Sequence, residues 1–107
     1  MNQPNMQAML KQVQQMQAEM VKAQEQLADE VVEASAGGGM VKVKITGALE
    51  LREIKIDPDA IDPEDADVLE DMVLAAVNEA IRAAQELAQS KLGGITGGMS
   101  GLGLPGM

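Results

Sequence analysis

The sequence predicts an α+β fold in which a three-stranded antiparallel sheet lies between two long helices, in the order α–β–β–β–α. Three observations support this prediction. Apolar residues recur every three or four positions before residue 30, they alternate with polar residues between residues 31 and 56, and helical spacing returns after residue 65. At 107 residues the chain has the length of one domain. We expect a single folded unit over residues 1–92 and a flexible, Gly-rich tail over residues 93–107.

The first predicted helix extends from about Asn5 to Glu30 and carries a heptad pattern. Pro4 precedes it, at a position where a missing N–H costs little. The apolar positions step alternately by three and four and form one seam, which consists of Met6, Met9, Val13, Met16, Met20, Ala23 and Leu27. Such a helix would be about 39 Å long, whereas a compact domain of about 100 residues has a radius of gyration near 13 Å. The helix should therefore overhang its own domain, and its seam should pair with a second copy.

The first two strands follow this helix. Val31–Ala36 is predicted as a strand that ends at the three glycines of Gly37–Gly39. In the next strand Val41, Val43 and Ile45 alternate with Lys42, Lys44 and Thr46, so one face is apolar and the other is cationic. The lysine face has two interpretations that the sequence leaves open. It is either an ordinary solvated strand face or a surface that contacts phosphates.

A hairpin is predicted to join the second and third strands. Gly47-Ala48 would make a two-residue reversal, because Gly tolerates the positive φ that such a turn needs. The apolar residues of the return strand are Leu49, Leu51, Ile54 and Ile56. Their parity changes near Arg52-Glu53, which indicates a β-bulge. Three strands leave open sheet edges, which again favours a dimer.

The second helix is predicted from about Asp65 to Lys91. It has a wide apolar stripe, acidic residues in its first turns and Lys91 in its last turn, an arrangement that suits the helix dipole. Gly93-Gly94 is expected to end it.

The acidic segment DPDAIDPEDAD, residues 57–67, precedes this helix. It could be read as a divalent-metal loop, but it lacks the central Gly and terminal Glu of a calcium loop, and Pro63 interrupts it. Acids beside prolines at a helix start instead predict N-capping. We therefore predict no metal site.

The composition excludes most catalytic chemistry. The chain has no His, Cys, Phe, Tyr or Trp. Without His and Cys, the usual nucleophile–base pairs, zinc sites and redox pairs cannot form, and without aromatic residues the usual stacking platforms for single strands are missing. We predict no enzymatic activity, no cofactor and no small-molecule substrate. No apolar run approaches about 18 residues and no signal peptide is recognised, so we expect a cytoplasmic protein with no membrane partner.

The net charge of −9 is unevenly distributed. Residues 57–71 hold eight acids and no Lys or Arg, which leaves nine acids and eight bases elsewhere, a net charge of −1. Most of the molecule is therefore nearly neutral, and its acidic total weakens the inference of a nucleic-acid partner without excluding it.

Four segments resemble the YbaB/EbfC family of bacterial nucleoid-associated proteins, and the resemblance covers essentially the whole chain. They are the Gly-rich entry to KVKITG, the EIKIDP exit, the LEDMVLAAVNEAI helix and the KLGGITGGM ending. The resemblance implies an α–β–β–β–α subunit and a homodimer in which helical arms project like tweezers from a shared central region. It also implies a protein of the nucleoid that binds double-stranded DNA, shapes the nucleoid and influences gene expression.

We predict that basic residues make the phosphate contacts. Lys11 and Lys22 on the first helix are the principal candidates, and the others are Lys42, Lys44, Arg82 and Lys91. The alternative belongs to another functional class: a scaffold whose Met-rich helices bind a second protein, with DNA binding weak or incidental.

Overall fold

The computed structural model describes residues 3–100, and the side chains of residues 6–94. Its elements are α1 (Gln3–Asp29), β1 (Val31–Ala36), β2 (Val41–Thr46), β3 (Leu51–Ile56) and α2 (Ala66–Ser100). Two short 3-10 turns, Pro58–Ala60 and Pro63–Asp65, lie between β3 and α2. The strands form one antiparallel sheet in the order β1–β2–β3. The predicted fold is confirmed.

The core lies between α2 and one face of the sheet, here called the inner face. Alternate residues of β2 point into it, as the period of two requires, and are fully buried: Val41, Val43 and Ile45. On α2 the buried residues recur every four positions and are all small: Ala76, Ala80 and Ala84. Because α2 packs on β1 and β2 rather than on β3, the inner face of β3 remains largely uncovered.

The turn between β2 and β3 differs from the prediction. It has four residues, Gly47–Glu50, so the predicted two-residue reversal at Gly47-Ala48 is wrong, and Leu49 lies in the turn with a φ of 65°. The Thr46 side-chain oxygen closes the turn by accepting hydrogen bonds of 3.2 Å from the backbone N–H groups of Ala48 and Glu50. Gly47 does not have a positive φ. It allows close packing, since a Cβ there would lie 2.6 Å from Leu27 Cδ2.

The predicted β-bulge is confirmed. Lys44 faces Glu53, but the next residue of β2, Ile45, faces Leu51, so Arg52 is the extra residue of β3. Its guanidinium extends to the end of α1, where Nη2 donates a hydrogen bond to the Ala28 carbonyl oxygen at 3.4 Å. A cation at this position also interacts favourably with the negative end of the α1 dipole. The bulge therefore links the hairpin to the base of α1.

The predicted end of the second helix is wrong. α2 continues through Gly93 and Gly94 to Ser100, so residues 93–100 of the predicted tail are helical. A glycine in a helix costs only about 1 kcal/mol relative to alanine. A helix that has already formed gains a hydrogen bond for every residue added. Residues 101–107 of the predicted tail lie outside the described residues.

The predicted overhang of α1 is confirmed. The radius of gyration is 20.8 Å and the extents are 78 × 29 × 15 Å, whereas a compact chain of this length would have a radius near 13 Å. Burial along the seam falls steadily away from the sheet. Leu27 and Ala23 are 4% and 5% exposed, Met20 and Met16 are half-buried, and Val13 is 49% exposed. Beyond Val13 the seam is open to solvent.

Candidate nucleic-acid interface

Three of the six predicted site residues form ion pairs inside the subunit. The pairs are Lys44–Glu53 at 3.4 Å, Arg82–Glu79 at 3.1 Å and Lys91–Glu30 at 2.8 Å. A carboxylate this close to a cationic side chain offsets much of the positive field with which that side chain would attract a phosphate. The structure therefore does not group the six residues into one cationic site.

Lys91 holds the two helices together. Its ammonium group donates to Glu30 Oε1 at 2.8 Å and to Gln26 Oε1 at 3.3 Å, and its side chain is 23% exposed. These bonds join α2 to the last turn of α1 and to the residue that follows it. The sequence could not indicate this contact, because Lys91 and Glu30 are 61 residues apart. Lys91 is best explained as a structural cation.

Replacing Lys91 with Met should lower the free energy of unfolding by about 1–2 kcal/mol, because the partly buried Glu30 carboxylate loses its charged donor. Glu30 Oε2 is buried without a hydrogen-bond partner, which makes this loss harder to compensate. Arg82→Met is the matched control. It breaks an exposed pair within α2 and should cost less than about 0.5 kcal/mol. Urea denaturation measures both, and equal costs would contradict the structural role of Lys91.

Lys11 and Lys22 lie on the exposed arm and form no ion pair with any described residue. They are 11 residues apart. That separation corresponds to about three helical turns, so both side chains lie on one face about 16 Å apart. At 3.6 residues per turn, the residues of the seam lie on the face of α1 opposite to the two lysines. The arm therefore carries its apolar seam on one side and its two lysines on the other.

The outer face of the sheet, opposite the core, carries the other lysines. Lys42 and Lys44 project from β2, and their nearest neighbours on β3 are Lys55 and Glu53 respectively. Sequence reasoning missed Lys55. The bulge at Arg52 was the available signal. A bulge there pairs Lys44 with Glu53, and the next pair on the outer face is then Lys42 with Lys55.

The acidic segment forms N-caps, and they belong to the two 3-10 turns that precede α2. Asp57 Oδ1 accepts from the Asp59 N–H at 2.9 Å, and Asp62 Oδ1 accepts from the Glu64 N–H at 3.0 Å. Among the described residues, no group of three or more acidic side chains is placed to hold a metal ion. Neither helix is apolar enough, over the part of the chain that the structure describes, to cross a membrane.

An apolar surface lies beside the core, on the side that α2 leaves uncovered. We call it the β3–α2 face. Its strand residues, Leu51 and Ile54, belong to the inner face of the sheet yet are exposed. Its helix residues line an open groove and are Leu69, Val73, Leu74 and Val77, with Glu70 at the rim. A continuous apolar surface of this kind is typical of an interface with another protein.

Comparison with known proteins gives one consistent result. The model of the YbaB/EbfC DNA-binding family matches residues 1–99. A nucleoid-associated protein of Saccharopolyspora erythraea is 50% identical, over 98% of this chain and 96% of its own. One from Streptomyces avermitilis is 52% identical, over 98% and 93% respectively. Among solved structures, the uncharacterized protein HP0035 from Helicobacter pylori matches with a TM-score of 0.66 at 26% identity, over 84% of this chain and 91% of its own.

Proposed function

We propose, because the chain belongs to the YbaB/EbfC DNA-binding family, that it binds double-stranded DNA as a homodimer. In this proposal it acts in the nucleoid of the cytoplasm, shapes the DNA there, influences gene expression and catalyses no reaction. The arm formed by α1 is the observation that carries the proposal. It extends beyond the domain and exposes two lysines without acidic partners among the described residues.

The arm suits contact with a DNA backbone. Lys11 and Lys22 share one face, and lysine contacts phosphates as a point charge without reading sequence. Phosphate contacts supply most sequence-independent affinity. The acidic segment, residues 57–67, immediately precedes α2 and is distant in sequence from the N-terminal tip of α1. We therefore assign the principal DNA contacts to Lys11 and Lys22.

A second copy is the occupant that best fits the β3–α2 face. Leu51, Ile54 and Leu74 are 43%, 46% and 61% exposed, and the groove on α2 is lined by apolar side chains apart from Glu70. A two-fold interface uses the same patch of each subunit, so an apolar patch can be buried against its own copy. The resulting dimer would carry two arms, and DNA held by both would dissociate more slowly than from one.

A binding titration on short duplex DNA at several salt concentrations tests this function. Four phosphate contacts, two from each arm of a dimer, should contribute about −3.6 to the slope of log K against log salt. Duplexes of unrelated sequence should bind with similar affinity. Absence of binding at low salt, or binding that does not depend on salt, would contradict the proposal.

The open end of the α1 seam favours one alternative. Met6, Met9 and Val13 are 66%, 64% and 49% exposed, and Met side chains adapt to varied apolar partners. A protein-interaction scaffold would use this surface to bind a helix of another protein. Pull-down from nuclease-treated extract separates the two functions, since a partner recovered without DNA supports the scaffold and a recovery that needs DNA supports our proposal.

A further inference from the structure

Charges on the outer face of the sheet are arranged by cross-strand row. In one row Lys44 lies between Glu33 of β1 and Glu53 of β3. Two residues along β2, the next row on this face contains Ser35, Lys42 and Lys55. The first row has more acids than bases, whereas the second has two lysines and no acid. We call the second row the lysine row.

The two rows differ in how their charges are balanced. Lys44 Nζ lies 3.4 Å from a Glu53 carboxylate oxygen. Lys42 and Lys55 form no ion pair with any residue whose side chain the structure describes. Like charges that face each other across two antiparallel strands destabilise the pair. The lysine row therefore costs stability that a neutral residue at either position would not cost.

Protection of a sheet edge does not explain Lys42. Lysine often blocks pairing at edge strands, but β2 is the central strand and already pairs on both sides. Lys42 and Lys55 together line two shallow grooves, one toward Glu33 and one toward Gly39 and Asp57. The Asp57 carboxylate is engaged by the Asp59 N–H, and Glu53 is engaged by Lys44. Neither Glu33 nor Asp57 forms an ion pair with a described cation.

We propose that the lysine row binds a phosphodiester group of the DNA backbone, at a contact separate from the α1 arm. The inference rests on the proposed function, since it names a second place where the same DNA is held. A phosphate carries the negative charge that two adjacent ammonium groups lack, and it accepts hydrogen bonds from both. The two cross-strand rows, with three lysines and two glutamates, have a net charge of +1 on a protein whose net charge is −9.

The test compares the salt dependence of DNA binding by the wild type and by the Lys42→Gln/Lys55→Gln double variant. Loss of two phosphate contacts should make the slope of log K against log salt shallower by about 1.8 for each subunit that contacts DNA. Over a fourfold range of salt, the wild type should lose about 12-fold more affinity per subunit than the variant. The midpoint of thermal unfolding should stay the same or rise, because the repulsion within the row is removed.

Two control variants make the test specific. Gln85→Glu/Gln89→Glu changes the net charge by the same amount at exposed positions on α2 and should leave the slope unchanged. Lys42→Arg/Lys55→Arg keeps the charge and should retain the wild-type slope. A titration of wild type and the glutamine variant with tripolyphosphate tests whether the row binds a free polyphosphate instead of DNA. A difference there with none on DNA would indicate a site for free polyphosphate and overturn the inference.

The remaining outcomes separate this inference from the proposed function. A wild type that fails to bind DNA overturns both. A wild type that binds DNA, with a glutamine variant whose slope equals that of the α2 control, overturns the lysine row alone. A lower unfolding midpoint in the glutamine variant would show that the row stabilises the sheet, and this also overturns the inference.

Discussion

Replacement of both Lys11 and Lys22 by glutamate is expected to reduce the affinity for duplex DNA on the order of 10³-fold at 0.1 M salt. Each phosphate contact contributes roughly eightfold at this salt concentration by counterion release. A dimer loses four such contacts, and the new carboxylates add repulsion. The loss should be similar for duplexes of different sequence, because phosphate contacts carry no sequence information. Fluorescence anisotropy with two unrelated duplexes measures it.

The conservative variant is the control for this result. Lys11→Arg/Lys22→Arg keeps both charges on the same face of α1 and should bind within about threefold of the wild type, since either side chain can contact a phosphate. Both positions are exposed, so neither variant should change the unfolding midpoint appreciably. Unchanged affinity in the glutamate variant would show that the arm is not the DNA-binding element.

Replacement of Leu74 by glutamate is expected to convert the proposed dimer to a monomer. A two-fold interface contains the substituted residue twice, so two carboxylates would be buried without partners. Burial of an unpaired charge costs several kcal/mol, so the dimer dissociation constant should rise on the order of 10³-fold or more. Analytical ultracentrifugation should then find 11.2 kDa, the mass of one chain. DNA affinity should fall as well, because a monomer has one arm.

Ala75→Glu is the matched control for this prediction. Ala75 is adjacent to Leu74, is also exposed, and is rotated by about 100° around α2 away from the β3–α2 face. The Ala75→Glu substitution introduces the same charge and should leave the proposed dimer intact. A Leu74→Glu protein that remains dimeric would show that the second copy binds elsewhere, and the open α1 seam would then be the surface to test.

Local periodicity was enough to predict most of the fold. The heptad steps of α1, the alternation in β2 and the change of parity at Arg52 depend on neighbours along the chain, and the structure has all three. The two errors occurred where distant contacts or helix propagation decide the outcome. Gly47 serves the packing of Leu27, 20 positions away, and α2 continues through its glycines to Ser100.

The candidate site was less predictable than the fold. Composition identified the basic residues. Whether each one is available to contact a phosphate depends on which acidic side chains lie near it in the folded structure. Lys91 bonds to Glu30, which is far from it in sequence, and Lys44 bonds to Glu53 across the sheet. Lys55 became a candidate only with the strand register, which places it beside Lys42. These side-chain partners are set by the tertiary structure and cannot be predicted from the periodicity of the sequence.

The hydrogen bond from Arg52 to the Ala28 carbonyl has a consequence for the far end of α1. The helix has 27 residues and is about 40 Å long. Hydrogen bonds from Arg52 and Lys91 hold its C-terminal end, here called its base. A rotation of about 10° at the base would move its tip by roughly 7 Å, or about two base-pair steps of DNA. In the proposed dimer, residues that never contact DNA would therefore set the gap that the two arms leave for it. A change in the hairpin turn would then alter that gap while Lys11 and Lys22 are kept.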